Sequence, residues 1–305
     1  MRENINRIPQ LQTKADAGRM WTGLLCSLRP RQWTKNLLVF AGLLFSGRLT
    51  DRSLWLPAGS AFLAFCLLAG AVYLGNDLLD REQDRLHPKK CRRPIASGAV
   101  PPVAALTAAG LLGLIGLYLL FRGGRATGWL GLGYIALNLA YSFRLKEIPL
   151  LDLFSIAMGF VLRAVVGVVA VNVELSPWFL LCTVLLSLLL VLGKRRHELV
   201  FLAQGAAEHR AVLGRYSITF LDQMISAIST ATLVFYSLYT FFSEAGQQYA
   251  LMWTIPPVLY GLFRYLYLVY EKGQGGEPEE ILLRDTGILA SVILWVVSII
   301  VILYL

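Results

Sequence analysis

The sequence contains few charged residues: Asp, Glu, Lys and Arg make up 15% of its 305 residues, whereas 56% are hydrophobic. A soluble domain of this length does not need so much apolar sequence, and the composition is typical of a helical membrane protein with several spans. The first twenty residues lack the successive charged, apolar and small segments of a cleaved signal peptide. We therefore expect residues 1–20 to form a flexible cytoplasmic tail and residues 21–305 to form a single transmembrane helical domain.

Cysteine and histidine are also rare, with four Cys and three His in the whole chain. None of them shows the spacing of a metal site, and most of the cysteines lie in or near apolar runs, where they are most simply small buried residues. The net charge of +9 comes from basic residues that are divided among the segments between apolar runs. Nucleic-acid binding is therefore not expected.

Long apolar runs divide the chain into about nine candidate transmembrane helices. Their approximate ranges are 22–46, 54–79, 100–121, 127–143, 149–171, 177–193, 219–243, 250–270 and 281–305. If the N-terminus is cytoplasmic, most of the 28 Lys and Arg residues fall on the cytoplasmic side, as the positive-inside rule requires. The sequence therefore predicts an all-α, polytopic membrane protein whose polar clusters face the cytoplasm.

The most informative segment directly follows the apolar run that ends at Leu74. Its acids Asp77, Asp80 and Asp84 are spaced so that they share one face of a helix. Such acids repel one another at a membrane surface unless a cation holds them, and a divalent metal that prefers oxygen ligands suits them best. Together with Asn76 and the basic residues that follow, they predict a site for a metal and a diphosphate.

Two more polar clusters lie at the cytoplasmic ends of later spans. A basic run beside a span is often only a topology anchor, a tyrosine can belong to the interfacial aromatic belt, and an acid near a helix start can cap that helix. Substrate contact and these structural roles both stay open for this set. The residues concerned are Tyr141, Lys146, Asp152, Lys194, Arg195 and Glu198.

Arg163 lies inside the fifth candidate span, and its spacing from Asp152 puts both side chains on the same side of that helix. A charged side chain inside a membrane costs on the order of several kcal/mol unless it is paired. The pattern is equally compatible with a structural salt bridge and with a substrate contact.

Several short motifs, from about residue 25 to 220, together carry a family resemblance. They resemble the UbiA superfamily of intramembrane prenyltransferases and, within it, the members that transfer phosphoribose to a polyprenyl phosphate. The motifs are Arg29-Pro30-Arg31-Gln32-Trp33-Thr34-Lys35-Asn36, Asn76-Asp77-x-x-Asp80-x-x-x-Asp84, His87-Pro88-x-Lys90-x-x-Arg93-Pro94, Tyr141-Ser142-x-x-Leu145-Lys146, Gly159-Phe160-Val161-Leu162-Arg163-Ala164 and Gly193-Lys194-Arg195.

The resemblance implies a UbiA-like bundle of nine helices with a cytoplasm-facing cavity in the bacterial cell membrane. It implies Mg²⁺-dependent transfer of 5-phosphoribose from 5-phosphoribosyl 1-diphosphate (PRPP) to a decaprenyl-type polyprenyl phosphate, with release of diphosphate, for a cell-envelope polysaccharide precursor. The implied catalytic residues are Asp77, Asp80, Asp84 and Lys90, and the implied metal ligands are Asn76, Asp77, Asp80 and Asp84. The implied substrate-binding residues are Lys35, Asn36, Arg93, Tyr141, Lys146, Asp152, Arg163, Lys194, Arg195 and Glu198.

One departure from the wider superfamily favours the phosphoribosyl reaction. Members that use prenyl diphosphates usually carry a second acidic motif in the loop after the sixth span, and here we expect a basic loop with Lys194, Arg195 and Arg196. An aromatic prenyltransferase that uses a quinone precursor, and a transporter for anionic lipids, remain the alternatives. We also expect membrane lipid around the protein, and a homo-oligomer is compatible with the small residues of the third span.

Overall fold

The computed structural model describes residues 9–87, 90–202, 211–243, 246–247 and 250–305, and these residues form helices and no strand. The predicted all-α fold class is therefore confirmed. The α-helices, labelled in chain order, are α1 (Pro9–Ser27), α2 (Ala41–Phe45), α3 (Trp55–Leu79), α4 (Arg81–Leu86), α5 (Pro102–Gly123), α6 (Arg125–Phe143), α7 (Leu151–Ala170), α8 (Pro177–Leu202), α9 (Ile218–Phe242), α10 (Ile255–Tyr270), α11 (Pro278–Arg284) and α12 (Thr286–Tyr304).

Six helical segments are long and apolar enough to cross a membrane, judged by length and composition. They are Arg52–Leu79, Pro102–Gly123, Leu151–Ala170, Pro177–Phe201, Ile218–Phe242 and Thr286–Tyr304. The predicted multi-pass architecture is confirmed, but the count of nine is not, although every predicted range overlaps a helix. Helix α10, for example, has 16 residues, fewer than the roughly 20 that a span perpendicular to the bilayer needs.

The first predicted span, residues 22–46, is broken into three pieces. Helix α1 ends at Ser27, a 3₁₀ helix covers Pro30–Phe40, and α2 follows it directly. The break falls where Arg29 has a positive φ of 50° and where Pro30 lacks the N–H that a continuing helix would need. Residues 1–8 of the predicted tail lie outside the described residues, so the flexibility of that tail stays a prediction.

The chain divides into two compact units. The first unit contains the N-terminal segment through Asn36 together with Phe62–Ile135, and the second contains Leu37–Ala61 and Ala136–Leu305. Each unit has its own apolar core. Buried residues of the first core are Leu74, Ile95, Val100 and Ala105, and those of the second include Leu153, Leu189, Val212, Ile225 and Leu268.

In the second unit, α7 packs closely against the segment that contains Val39 and Gly42, because two glycines allow the backbones to approach. A Cβ atom on Gly167 would collide with the carbonyl of Val39, and one on Gly42 would lie 2.8 Å from the backbone of Val168. Small residues allow helix backbones to approach in this way, and dispersion contacts along the shared face then hold them. This packing fixes α7, the helix that carries Asp152.

Candidate active site

Two buried carboxylates of the first unit meet at the end of α3. The helix stops at Leu79, and α4 begins two residues later, so the three acids do not lie along one straight helix as the spacing suggested. Asp77 and Asp84 are nevertheless brought together, with only 3% and 2% of each residue exposed. Arg93 Nη1 donates to Asp77 Oδ1 at 3.1 Å and to Asp84 Oδ2 at 2.7 Å, so one guanidinium group bridges the two acids.

Two more cations surround this pair. Arg29 Nη2 donates to Asp77 Oδ1 at 2.6 Å, and Lys90 Nζ lies 3.9 Å from Asp84 Oδ1. We call these five residues the acidic cluster. Sequence reasoning did not assign a role to Arg29, although it opens one of the quoted motifs; a contact across 48 positions of sequence has no local signal.

The other predicted residues of the first unit lie in different surroundings. Asn76 and Asp80 are half-buried, and Asp80 lies at the junction between α3 and α4. Lys35 is half-buried, and the fully buried Asn36 donates its amide to Cys66 Sγ at 3.3 Å. The geometry therefore supports Asp77 and Asp84 as the central acids more directly than it supports Asn36 as a substrate contact.

The acidic cluster suits a metal that arrives with its substrate. Among the described residues, no group of three or more His, Cys, Asp and Glu side chains is arranged to hold a metal ion, so an all-protein cage is not present there. Mg²⁺, however, is usually bound by one or two carboxylates together with substrate phosphates and water. The Asp77–Asp84 pair provides such ligands, and the Arg93 guanidinium between them shows that the pair accommodates a shared positive charge.

Three predicted residues of the second unit converge on a fourth, Arg195, which is fully buried in α8. Its Nε donates to Asp152 Oδ2 at 2.9 Å and its Nη1 donates to Glu198 Oε2 at 2.6 Å. Its Nη2 donates to the Tyr141 hydroxyl at 3.4 Å. Helices α6, α7 and α8 thus contribute to one hydrogen-bonded group. The sequence had suggested this only indirectly, because the residues occupy similar positions at the cytoplasmic ends of their predicted spans.

Tyr216 completes this group, although it was not among the predicted site residues. Its hydroxyl donates to Asp152 Oδ1 at 2.7 Å and accepts the Leu150 N–H at 2.6 Å. Leu150 has a positive φ of 69°, which a non-glycine residue adopts only when its surroundings hold it. We call Tyr141, Asp152, Arg195, Glu198 and Tyr216 the arginine network.

The Tyr216 hydroxyl remains a donor over the whole physiological pH range. Burial is the main cause that raises its pKa to about 12, and the hydrogen bond to Asp152 acts in the same direction. A hydroxyl that stays protonated can hold the Asp152 carboxylate permanently. The hydrogen bond from Tyr216 to Asp152 is therefore kept throughout that range.

The prediction that Lys194 and Arg195 lie in a loop is wrong, because α8 continues through them to Leu202. Both charges have carboxylate partners outside α8, so neither needs an exposed loop. Arg195 is paired as described, and Lys194 Nζ lies 3.7 Å from Glu277 Oε1. Neighbouring Arg196 donates to Asp222 Oδ1 at 2.6 Å, so this residue links α8 to α9 in addition to any role as a topology anchor.

Arg163 and Lys146 complete the predicted set. Arg163 is buried, its Nη1 donates to the Gly159 carbonyl at 2.7 Å, and its guanidinium lies 5.6 Å from the centre of the Phe160 ring. The short 3₁₀ helix Leu145–Glu147 carries the half-buried Lys146. Although Arg163 shares α7 with Asp152, the contacts of Asp152 described above go to Arg195 and Tyr216.

Comparison with known proteins agrees with this architecture. The sequence model of the UbiA prenyltransferase family matches residues 36–279. The decaprenyl-phosphate phosphoribosyltransferase of Corynebacterium glutamicum is 36% identical over 292 residues, which cover 93% of this chain and 87% of that protein. The enzyme of the same name from Mycolicibacterium smegmatis is 36% identical over 295 residues, covering 90% of each chain.

A solved structure shows the same fold at lower sequence similarity. It is that of a UbiA homolog from Archaeoglobus fulgidus bound to GPP and Mg²⁺, with a TM-score of 0.71 and 19% identity, covering 92% of this chain and 99% of that one. At this identity the likeness concerns the fold.

Proposed function

Since the chain belongs to the UbiA prenyltransferase family, a family of membrane-embedded transferases, we propose that it transfers 5-phosphoribose from PRPP to a polyprenyl phosphate and releases diphosphate. The observation that carries the proposal is the buried Asp77–Asp84 pair, which shares the partly exposed guanidinium group of Arg93. The names of the curated relatives, which match nearly the whole chain, support the choice of substrates.

The acidic cluster is proposed to bind the diphosphate of PRPP. Asp77 and Asp84 would hold Mg²⁺, with Asn76 and Asp80 completing its surroundings directly or through water. When bound, this ion would neutralise negative charge that develops on the leaving diphosphate. Lys90 and Arg93, which are only loosely or partly engaged by the acids, would contact phosphate oxygens and assist the same departure.

The nucleophile of this reaction is already an anion. A polyprenyl phosphate oxygen attacks C1 of the ribose while the C1–O bond to diphosphate breaks, so no general base is needed. The reaction requires that the two substrates are held in the correct relative position. It also requires cationic groups that offset the repulsion between their phosphates. Lys35, Lys146 and Lys194 are our candidates for phosphate binding.

The arginine network is proposed to orient substrate through its partly exposed members. Arg195 and Asp152 are buried and bind each other, so Arg195 is a positioning residue in this proposal. It holds Glu198, whose side chain is 24% exposed, and the half-buried Tyr141. Glu198 can accept a hydrogen bond from a ribose hydroxyl and Tyr141 can donate one to a phosphate oxygen, while the ion pair behind them keeps their positions fixed. The role of Arg163 is proposed to be the support of α7 near this network.

The location of the chemistry follows from its substrates. PRPP is water-soluble and a polyprenyl phosphate is held in the bilayer by its hydrocarbon chain, so the enzyme must bind at the boundary of the two phases. We propose a cytoplasmic N-terminus and a cytoplasmic active site in the bacterial cell membrane, consistent with the distribution of Lys and Arg.

The test is an assay of diphosphate release by protein purified in detergent. Release should require PRPP, decaprenyl phosphate and Mg²⁺, and EDTA should abolish it. Asp84→Asn should remove most of the activity, whereas Glu82→Gln should not; Glu82 lies in the same short helix with its side chain 75% exposed. Turnover of a polyprenyl diphosphate with an aromatic acid, and none with PRPP, would instead identify an aromatic prenyltransferase.

A further inference from the structure

Arg29 occupies a backbone position that favours glycine. It follows the last residues of α1, its N–H donates to the Cys26 carbonyl at 3.1 Å, and its φ is +50°. Glycine is the usual residue at such a helix end because a Cβ atom makes positive φ unfavourable. Pro30 restricts the preceding residue further. An arginine at this position suggests that its side chain has a function that offsets the unfavourable backbone conformation.

The contacts of the side chain show where that use lies. Arg29 Nη2 donates to Asp77 Oδ1 at 2.6 Å, and its guanidinium lies over the ring of Tyr73 at 5.0 Å. The same oxygen, Oδ1, also accepts Arg93 Nη1 at 3.1 Å. One buried carboxylate oxygen therefore carries two guanidinium groups.

These guanidinium groups are positioned to exchange partners. Asp77 is 3% exposed, whereas the side chains of Arg29 and Arg93 are 32% and 29% exposed. A metal ion that coordinates Oδ1 needs the lone pairs that the two arginines now occupy. The carboxylate is fixed inside the unit, so the partly exposed arginines are the groups that must leave it.

We propose that Arg29 is an exchangeable counterion: it neutralises Asp77 while no metal is bound, and it transfers to a diphosphate oxygen when a metal–diphosphate complex takes the carboxylate. This inference rests on the proposed function of the acidic cluster. The exchange keeps charge balanced in both states, because the arginine moves from one anion to another. A guanidinium group suits both partners, since its N–H fork matches carboxylate and phosphate alike.

The proposal predicts opposite changes in two affinities. Without Arg29 the metal competes with only Arg93 for Asp77 Oδ1, so EDTA-stripped Arg29→Gln should bind Mg²⁺ about ten-fold more tightly than wild type. The same variant should bind inorganic diphosphate in the presence of Mg²⁺ about ten-fold more weakly, because one phosphate contact is lost. Isothermal titration of purified protein measures both.

Two further variants serve as controls. Arg29→Gly removes the guanidinium and also relieves the positive φ, so it should fold and should repeat both changes. Arg31→Gln removes a positive charge from an exposed residue two positions away, and both affinities should stay within two-fold of wild type. In EDTA, Arg29→Gln should have a lower melting temperature than Arg31→Gln, and Mg²⁺ without diphosphate should narrow that difference, because the ion binds the Arg29→Gln variant more tightly.

The outcomes separate this inference from the proposed function. If Arg29→Gln and Arg29→Gly weaken both affinities together, or leave both unchanged, Arg29 is a fixed structural partner of Asp77 and the inference is wrong. If wild-type protein binds no Mg²⁺ with diphosphate, the proposed metal site fails, and the exchange fails with it.

Discussion

The acidic cluster and the arginine network differ in how deeply their cations are buried. In the acidic cluster the carboxylates are buried, and the side chains of their cationic partners Arg29, Arg93 and Lys90 are 32%, 29% and 45% exposed. In the arginine network the cation itself is buried, with 1% of its side chain exposed beside an Asp152 that is 0% exposed. The first arrangement can exchange a cation at low cost, whereas the second cannot lose a partner without leaving a buried charge alone.

The contrast suggests a division of labour within the proposed reaction. A group that binds and releases a metal–diphosphate complex has to rearrange in each cycle. A group that orients substrate has to stay in place, and satisfied buried networks are rigid. The acidic cluster fits the first role and the arginine network fits the second.

The strongest test of this contrast compares two arginines. Arg195→Met should lower the free energy of unfolding by about 3–5 kcal/mol, because the Asp152 carboxylate is then buried without its cation. Arg93→Met should lower it by only about 1 kcal/mol, since Arg93 is partly exposed, Arg29 still pairs with Asp77, and Lys90 still lies 3.9 Å from Asp84 Oδ1. Reversible unfolding in mixed detergent micelles measures both. Equal losses would mean that the two clusters are equally rigid.

A second prediction concerns the acids. Asp77→Asn should lower kcat/KM for PRPP by about 10²-fold or more, because a group that holds charge next to the leaving diphosphate is lost. Its stability should change little. Asp152→Asn should lower stability as well as activity, since it weakens the partner of a buried arginine. Initial rates and unfolding curves of the same preparations distinguish the two. A large stability loss in Asp77→Asn would contradict the assignment of the acidic cluster as the exchangeable one.

The third prediction concerns Tyr216, whose hydroxyl is the link between Leu150 and Asp152. Tyr216→Phe leaves the Leu150 N–H and one Asp152 oxygen without this partner, which should cost about 2 kcal/mol of stability. At saturating substrate the remaining enzyme should also turn over more slowly, because Asp152 no longer fixes Arg195 as firmly. Tyr118→Phe, at a side chain that is 62% exposed on α5, is the matched control and should be silent in both measurements.

The smallest effect is expected at an ion pair outside both clusters, which serves as a reference for them. Asp285 caps α12 by accepting the Ile288 N–H at 2.9 Å and also accepts Arg264 Nη2 at 2.9 Å. Asp285→Ala should cost about 1 kcal/mol of stability with no change in activity. Glu280→Ala, whose side chain is 45% exposed beside Arg284, should cost less.

The same residue gives a pH dependence with a definite sign. The hydrogen bond from Arg264 is the main cause that lowers the pKa of Asp285 in the folded protein. A lowered pKa stabilises the fold above the unfolded value of about 3.9, and the contribution is lost as the pH falls through the lower folded value. Unfolding curves below about pH 4 should therefore show a smaller difference between wild type and Asp285→Ala than curves at pH 7. A difference that grows on acidification would contradict this explanation.

Part of this molecule could be predicted from local sequence alone. Apolar length gave the helices, and α3, α7 and α9 begin and end within about two residues of the predicted ranges. The spacing placed Asp77 and Asp84 together, and both do contact Arg93 even though the helix breaks between them; their role in a metal site stays a prediction. Motif resemblance named the family that the matched sequence model and the relatives then showed.

Other features depend on contacts between distant parts of the chain. The loop predicted after the sixth span is a helix, and its Arg195 contacts Asp152, 43 positions earlier. Arg29 enters the acidic cluster across 48 positions, and Tyr216 reaches Asp152 across 64. Local patterns report hydrophobicity and periodicity, which depend on neighbouring residues. Partners of buried charges are chosen by packing, so only the tertiary structure decided which cations are fixed and which can move.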